Sequence, residues 1–166
     1  MSDPAKRVVV CPGTFDPVTY GHLDVITRAA GMFDQVVVGV VNLPWRKGST
    51  VFSVEERIGF IENVVREIEN ITVEAFTTLL VDFARRHNAK AIVKGLRAIS
   101  DFEYEMEMNQ LNHRQAPEIE SVYLMASDKY SFLSSSGVKE LATFGGDIDD
   151  LVPREVATAL KERLAR

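Results

Sequence analysis

Residues 11–22 read CPGTFDPVTYGH, and their types and spacing suit the binding of a phosphorylated ligand. Thr14 supplies a hydroxyl donor and His22 an imidazole N–H, one at each end of a short loop. Three valines, Val8 to Val10, precede the loop, and an apolar-periodic run, LDVITRAAGMF, follows it. A strand therefore ends in a loop, and a helix begins with His22 in its first turn. That first turn carries unpaired N–H groups and the positive end of the helix dipole, which together favour an anion. Gly13 and Gly21 let backbone approach such a ligand without a Cβ in the way. The same letters also allow an ordinary turn at Asp16-Pro17 with Thr19 as a helix cap.

Further patches carry related chemistry. In KGLRAISDFEYE (94–105), Lys94 and Arg97 stand on either side of Gly95, where a bend can aim both cations at an anion. Arg binds phosphate through a two-donor fork and Lys as a point charge. Glu105, Asn109 and Asn112 share one helix face, where a carboxylate can accept from an adenine amino group or a ribose hydroxyl. In YSFLSSS (130–136), with Lys139 beyond it, three serines fall where a helix begins. One can act as the N-cap, and hydroxyls with backbone N–H groups can hold a triphosphate. The stretch NLPWRKGSTVF (42–52) reads as a loop and carries Arg46 and Lys47 side by side.

These residues need a scaffold, and the hydrophobic pattern supplies one. Strand-like runs at 7–11, 35–41, 71–76, 89–95 and 120–126 alternate with helical periods. The helices are expected from about Gly21 to Phe33, from the Ser53–Glu56 capping box to about Glu69, over 79–88 and over 101–116. Another begins near Ser134–Ser136 and ends at Gly145-Gly146, and the last holds Pro153 in its first turn. Five strands separated by helices predict a Rossmann-like, doubly wound α/β fold, a five-stranded parallel sheet with helices on both faces. No repeat or linker divides the chain, so 1–166 reads as a single domain. In such folds ligands bind at the carboxyl ends of the strands. PGTFDPVTYGH, PWRK, TTLL, GLRAISDFEYE and SDKYSFLSSS all fall there, which makes that rim a phosphate-binding edge.

Composition narrows the partners. A net charge of −5 argues against a general nucleic-acid binder while leaving room for a local cationic pocket. The longest apolar run, VVVGVV at 36–41, is too short to span a bilayer, and the N-terminus lacks a signal peptide's apolar stretch. Cys11 is the only cysteine and suits a reducing compartment, so a cytoplasmic location is expected. His22, His87 and His113 are far apart in sequence, and no protein-ligated metal is expected. Neither Gly-x-Gly-x-x-Gly nor a Walker motif is present.

Gly-Thr-Phe-Asp-Pro together with Thr-x-Gly-His resembles the adenylyl- and cytidylyltransferase signature, in a Thr variant of its His-x-Gly-His motif. PGTFDPVTYGH, KGLRAISDFEYE and YSFLSSSGVKE in this order resemble the bacterial phosphopantetheine adenylyltransferase family from about Val8 to beyond Gly146. The resemblance implies transfer of AMP from ATP to 4′-phosphopantetheine with Mg²⁺, giving dephospho-coenzyme A and pyrophosphate. It implies that ATP is contacted by Thr14, Phe15, His22, Gly95, Leu96, Arg97, Glu105, Tyr130, Ser131, Phe132, Leu133, Ser134, Ser135 and Ser136. Thr14, Lys94 and Leu80, with a cation after the second strand, would hold the acceptor. Counting forward from Pro44 selects Arg46 for that cation, and chemical identity selects Lys47, so both stand. Catalysis is expected from His22, Thr14 and Lys47 or Arg46, acting as donors rather than bases. The resemblance further implies a homohexamer and inhibition by coenzyme A. The apolar residues of FEYEMEMNQL are expected mainly to cover the sheet, with part of that helix free for a subunit interface. Rival readings are a transferase acting on nicotinamide mononucleotide and a non-catalytic nucleotide- or flavin-binding module.

Overall fold

The computed structural model describes residues 6–43, 50–97 and 99–164. Strands β1 (Val8–Gly13), β2 (Gln35–Val41), β3 (Ile71–Phe76), β4 (Ala91–Leu96) and β5 (Glu120–Met125) form one parallel sheet in the order β3-β2-β1-β4-β5. The helices are α1 (Tyr20–Met32), α2 (Val54–Val65), α3 (Leu80–Arg86), α4 (Ile99–Gln115), α5 (Ser135–Thr143) and α6 (Arg154–Leu164). This is the expected Rossmann-like arrangement.

The unbroken valine runs fold as strands because both faces of the sheet are covered. Val9 and Cys11, with Val36, Val38 and Val40, pack under α1, α2, α5 and α6. Val8, Val10 and Val37 alternate to the opposite face, against Val81, Phe83 and Ala84 of α3. Each fully buried valine contributes roughly 1.5–3 kcal/mol of transfer free energy, so β1 and β2 form a stiff platform.

Strand order reverses at β1, with β2 on one side and β4 on the other. β1 stays in register with β2 from Val8↔Gln35 to Gly13↔Val40, but pairs with β4 only at Val9↔Ala91 and Val10↔Ile92. Beyond that point β1 and β4 part. Pro12, which has no N–H for a ladder, sits where they separate. This is the crevice expected of a doubly wound sheet.

Several boundaries differ from expectation. α2 ends at Val65 rather than near Glu69, although REIEN has helix-forming composition. Ile68 N–H turns back to the Val65 carbonyl at 2.8 Å, and Asn70 donates to the carbonyls of Ala30 and Phe33. Tertiary anchoring thus overrides propensity. Pro153 precedes the first turn of α6, its carbonyl accepting from Ala157 N–H at 2.9 Å. On α4, Phe102, Tyr104, Met106 and Leu111 are each at least half exposed, so these side chains do not cover the sheet as expected.

Candidate active site

The parted ends of β1 and β4 open into a cavity of about 750 Å³, within the range of small-molecule sites. Thr14, Phe15, His22, Leu80, Lys94, Gly95, Arg97, Glu105, Tyr130, Leu133, Ser134, Ser135 and Ser136 all line it. Val41, Phe76 and Leu80, from β2, β3 and the start of α3, add an apolar wall. Leu96 is buried in β4 and does not line the cavity, nor do Ser131 and Phe132, the latter 72% exposed. Arg46 and Lys47 lie outside the described residues.

His22 is held by a capping box. Thr19 Oγ1 accepts from His22 N–H at 3.3 Å, and His22 Nδ1 accepts from Thr19 N–H at 3.1 Å. A backbone N–H can only donate, so Nδ1 carries no proton and the neutral ring bears its hydrogen on Nε2. Burial, followed by the charge of Arg97, brings the imidazole pKa down to about 4. Near neutral pH the ring is therefore an uncharged Nε2–H donor.

Phe15 meets this imidazole edge-on, with centroids 5.2 Å apart. Its φ of 51° lies in the left-handed region, a conformation costing of order 1–3 kcal/mol in a non-glycine residue. Gly13 makes room for the ring, since a Cβ there would stand 2.7 Å from Phe15 Cζ. The space beside Gly13 is thus occupied by Phe15 rather than kept for ligand backbone contact. Gly95 likewise serves packing: it stays within β4 with no bend, and a Cβ would lie 2.8 Å from Val25 Cγ2 of α1.

The cavity cations are matched by carboxylates of α4. Lys94 donates to Glu105 at 2.7 Å, and Arg97 Nε to Asp101 at 3.0 Å. Arg97 Nη1 also reaches the Leu133 carbonyl at 2.6 Å. Of the three serines, Ser134 caps α5 by accepting from Gly137 N–H at 3.1 Å, and Ser135 donates to the Pro17 carbonyl at 2.8 Å. Ser136, more exposed at the same helix start, also faces the cavity.

Asp101 and Arg57 were not singled out by sequence reasoning, and Asp16 was read only as a turn residue. Asp16 is almost fully buried and accepts from the N–H groups of Val51 and Phe52 and from Lys139 Nζ. It ties the loop after β1 to the start of α2 and to α5. Arg57 is 3% exposed and reaches the carbonyls of Thr14 and Val41. Its signal lay in helical spacing, because Arg57 shares a stripe with Phe60, Ile61 and Val65, all buried. A charge on a core-facing stripe needs internal partners.

Residues 10–141 match the model of the cytidylyltransferase-like family. The phosphopantetheine adenylyltransferase of Moorella thermoacetica is 53% identical over 157 residues, covering 95% of this chain and 97% of that protein. That of Clostridium kluyveri is also 53% identical, over 147 residues, covering 89% of this chain and 88% of its own. The chain belongs to the phosphopantetheine adenylyltransferase family. A Plasmodium falciparum nicotinic acid mononucleotide adenylyltransferase, solved in complex with NaAD, superposes with a TM-score of 0.67. It covers 95% of each chain at 14% identity, a likeness of fold.

Proposed function

We propose that this protein reversibly transfers AMP from ATP to 4′-phosphopantetheine, forming dephospho-coenzyme A and pyrophosphate in coenzyme A biosynthesis. Its family membership supports the reaction. The observation that carries the mechanism is the neutral imidazole of His22, whose Nδ1 accepts from Thr19 and whose remaining hydrogen is on Nε2. The acceptor is a phosphate monoester, with a second pKa of about 6, and is largely dianionic at neutral pH. It needs no general base. Its oxygen attacks the ATP α-phosphorus in line, forming one P–O bond as the bond to the bridging oxygen of pyrophosphate breaks. The protein's task is to align two anions and donate to oxygens as charge shifts onto the α-phosphate. His22 and Thr14 suit that task, with Arg46 or Lys47 as the third donor.

ATP would rest on Thr14, Phe15, His22, Gly95, Arg97, Glu105, Tyr130 and residues 133–136, the expected contacts that line the cavity. The amide-rich arm of the acceptor would lie near Leu80 and the apolar wall, with Lys94 attracting its phosphate end. Mg²⁺ would enter as a companion of the ATP triphosphate, carried by the nucleotide's own phosphate oxygens. When bound, it would supply charge neutralisation for the leaving pyrophosphate. We read residues 1–166 as one domain, working in the cytoplasm as a homohexamer and inhibited by coenzyme A. Exposed Phe102, Tyr104 and Met106 on α4 support self-association.

The test is incubation with Mg²⁺-ATP and 4′-phosphopantetheine beside a nicotinamide mononucleotide control, measuring pyrophosphate and adenylylated product. Dephospho-coenzyme A in the first tube alone is expected. Product only in the control would overturn the acceptor, and ATP binding without product in either would indicate a binding module.

A further inference from the structure

Arg57 stands outside the cavity wall yet binds two residues that form it. Its Nη1 donates to the Thr14 carbonyl at 2.7 Å and to the Val41 carbonyl at 3.0 Å. Its Nε donates to the Ser53 carbonyl at 3.3 Å, on the residue that caps its own helix. Thr14 and Val41 both line the cavity, one just beyond β1 and the other at the end of β2. A single nitrogen therefore registers two neighbouring strand ends against α2. Arg57 is buried, and the partners of its guanidinium among the described residues are carbonyl oxygens. Burial pulls its pKa below the ordinary arginine value. An arginine desolvated for structure alone has little to recommend it, because apolar residues of similar volume often do as well. A fixed fork of donors does have a use where a neighbouring hydroxyl must be held to within a fraction of an ångström.

We propose that Arg57 is a positioning residue for the adenylyl transfer, acting through Thr14. It holds the Thr14 backbone so that the hydroxyl meets the α-phosphate oxygen in the transition state. The inference rests on the proposed reaction. Thr14 is exposed, and the next residue, Phe15, has a φ of 51° in the left-handed region. Without the carbonyl anchor, the Thr14 peptide has freedom to rotate away from the site. A lysine at 57 keeps the charge but has no second nitrogen: reaching Thr14 and Val41, its ammonium loses the separate Nε bond to Ser53 that fixes the plane of the guanidinium.

The test is a double-mutant cycle with Thr14→Val, which removes the hydroxyl and keeps the shape, and Arg57→Lys. Pyrophosphate release with 4′-phosphopantetheine gives kcat and KM for the four proteins, and thermal melting reports stability. Arg57→Lys is expected to lower kcat by about tenfold, with KM for ATP changed less than about threefold. In the Thr14→Val background the same change should cost less than about twofold, because the group it positions is gone. Equal losses in both backgrounds, or full activity of Arg57→Lys, would overturn the proposal. Should Arg57→Lys fail to accumulate as folded protein, Arg57→Gln, an uncharged donor, takes its place; failure of both to fold would assign Arg57 to folding and overturn the proposal too. An inactive wild type would instead overturn the reaction, which keeps the two failures distinct.

Discussion

Two helices of this molecule begin with the same device and finish with different jobs. At α2, Ser53 Oγ accepts from Glu56 N–H at 3.2 Å, and the Glu56 carboxylate accepts from Ser53 N–H at 2.8 Å. At α1, Thr19 and His22 form the same reciprocal pair. Glu56 spends its remaining capacity on Arg163, at 2.7 and 2.9 Å, so the α2 box is closed within the protein. His22 has a second nitrogen on the far side of its ring, and the α1 box thereby aims a donor at the cavity. The side chain at the third helical position decides whether a cap ends in structure or continues into a site.

The comparison is broken most severely by giving α1 the residue used at α2. His22→Glu should keep the cap, with a melting temperature near wild type, and lower kcat by about 1,000-fold, since a carboxylate then faces phosphate oxygens. His22→Ala, which removes the donor without adding charge, should lower kcat by about 100-fold and leave ATP binding within a few-fold. If ATP affinity fell equally while kcat was kept, the donor role would be wrong. Both effects are read by steady-state pyrophosphate release beside direct ATP titration.

The opposite substitution sharpens the contrast. Glu56→Ala should cost about 1 kcal/mol of stability in thermal melting and leave kcat unchanged. Hydrogen bonds from Arg163, then from Ser53, bring the Glu56 pKa down to about 2 from 4.5. A carboxyl depressed in the folded state contributes stability above its unfolded pKa and loses it as pH falls. The melting gap between Glu56→Ala and wild type should therefore narrow below pH 4.5. The smallest signal is spectroscopic. Nitrogen NMR of His22 should show a protonated Nε2 and an unprotonated Nδ1, with no titration near the ordinary imidazole value of 6.5. A protonation step there would contradict the neutral donor.

Much of this was legible in the letters because it is local or periodic. The valine runs, the Ser53–Glu56 box and the serines at the start of α5 each name their structure by spacing. That five separate segments meet at one cavity follows from parallel topology, which places every loop after a strand on the same rim. What escaped the sequence depends on contacts between distant segments. Asn70 stops α2 by reaching α1's end, and Asp16 gathers Val51, Phe52 and Lys139 from 35 to 123 residues away. Asp101 reads as one more acidic residue on a polar helix until Arg97 is seen beside it. The outward apolar side of α4 was misread as sheet cover because composition gives a helix face no direction.

The pairing of the cavity cations with α4 has a bearing on turnover. Lys94 and Arg97 each have a carboxylate within 3.0 Å, so under the proposed reaction a phosphate bound there would exchange one oxygen partner for another. The free energy of capture is then a difference between two ion pairs, smaller than the count of positive charges suggests. Departure is eased by the same amount, because Glu105 and Asp101 stand ready to take the cations back as the anion leaves. A catalyst that must shed two polyanionic products every cycle benefits from a grip of this kind, where residence time is limited by built-in competitors.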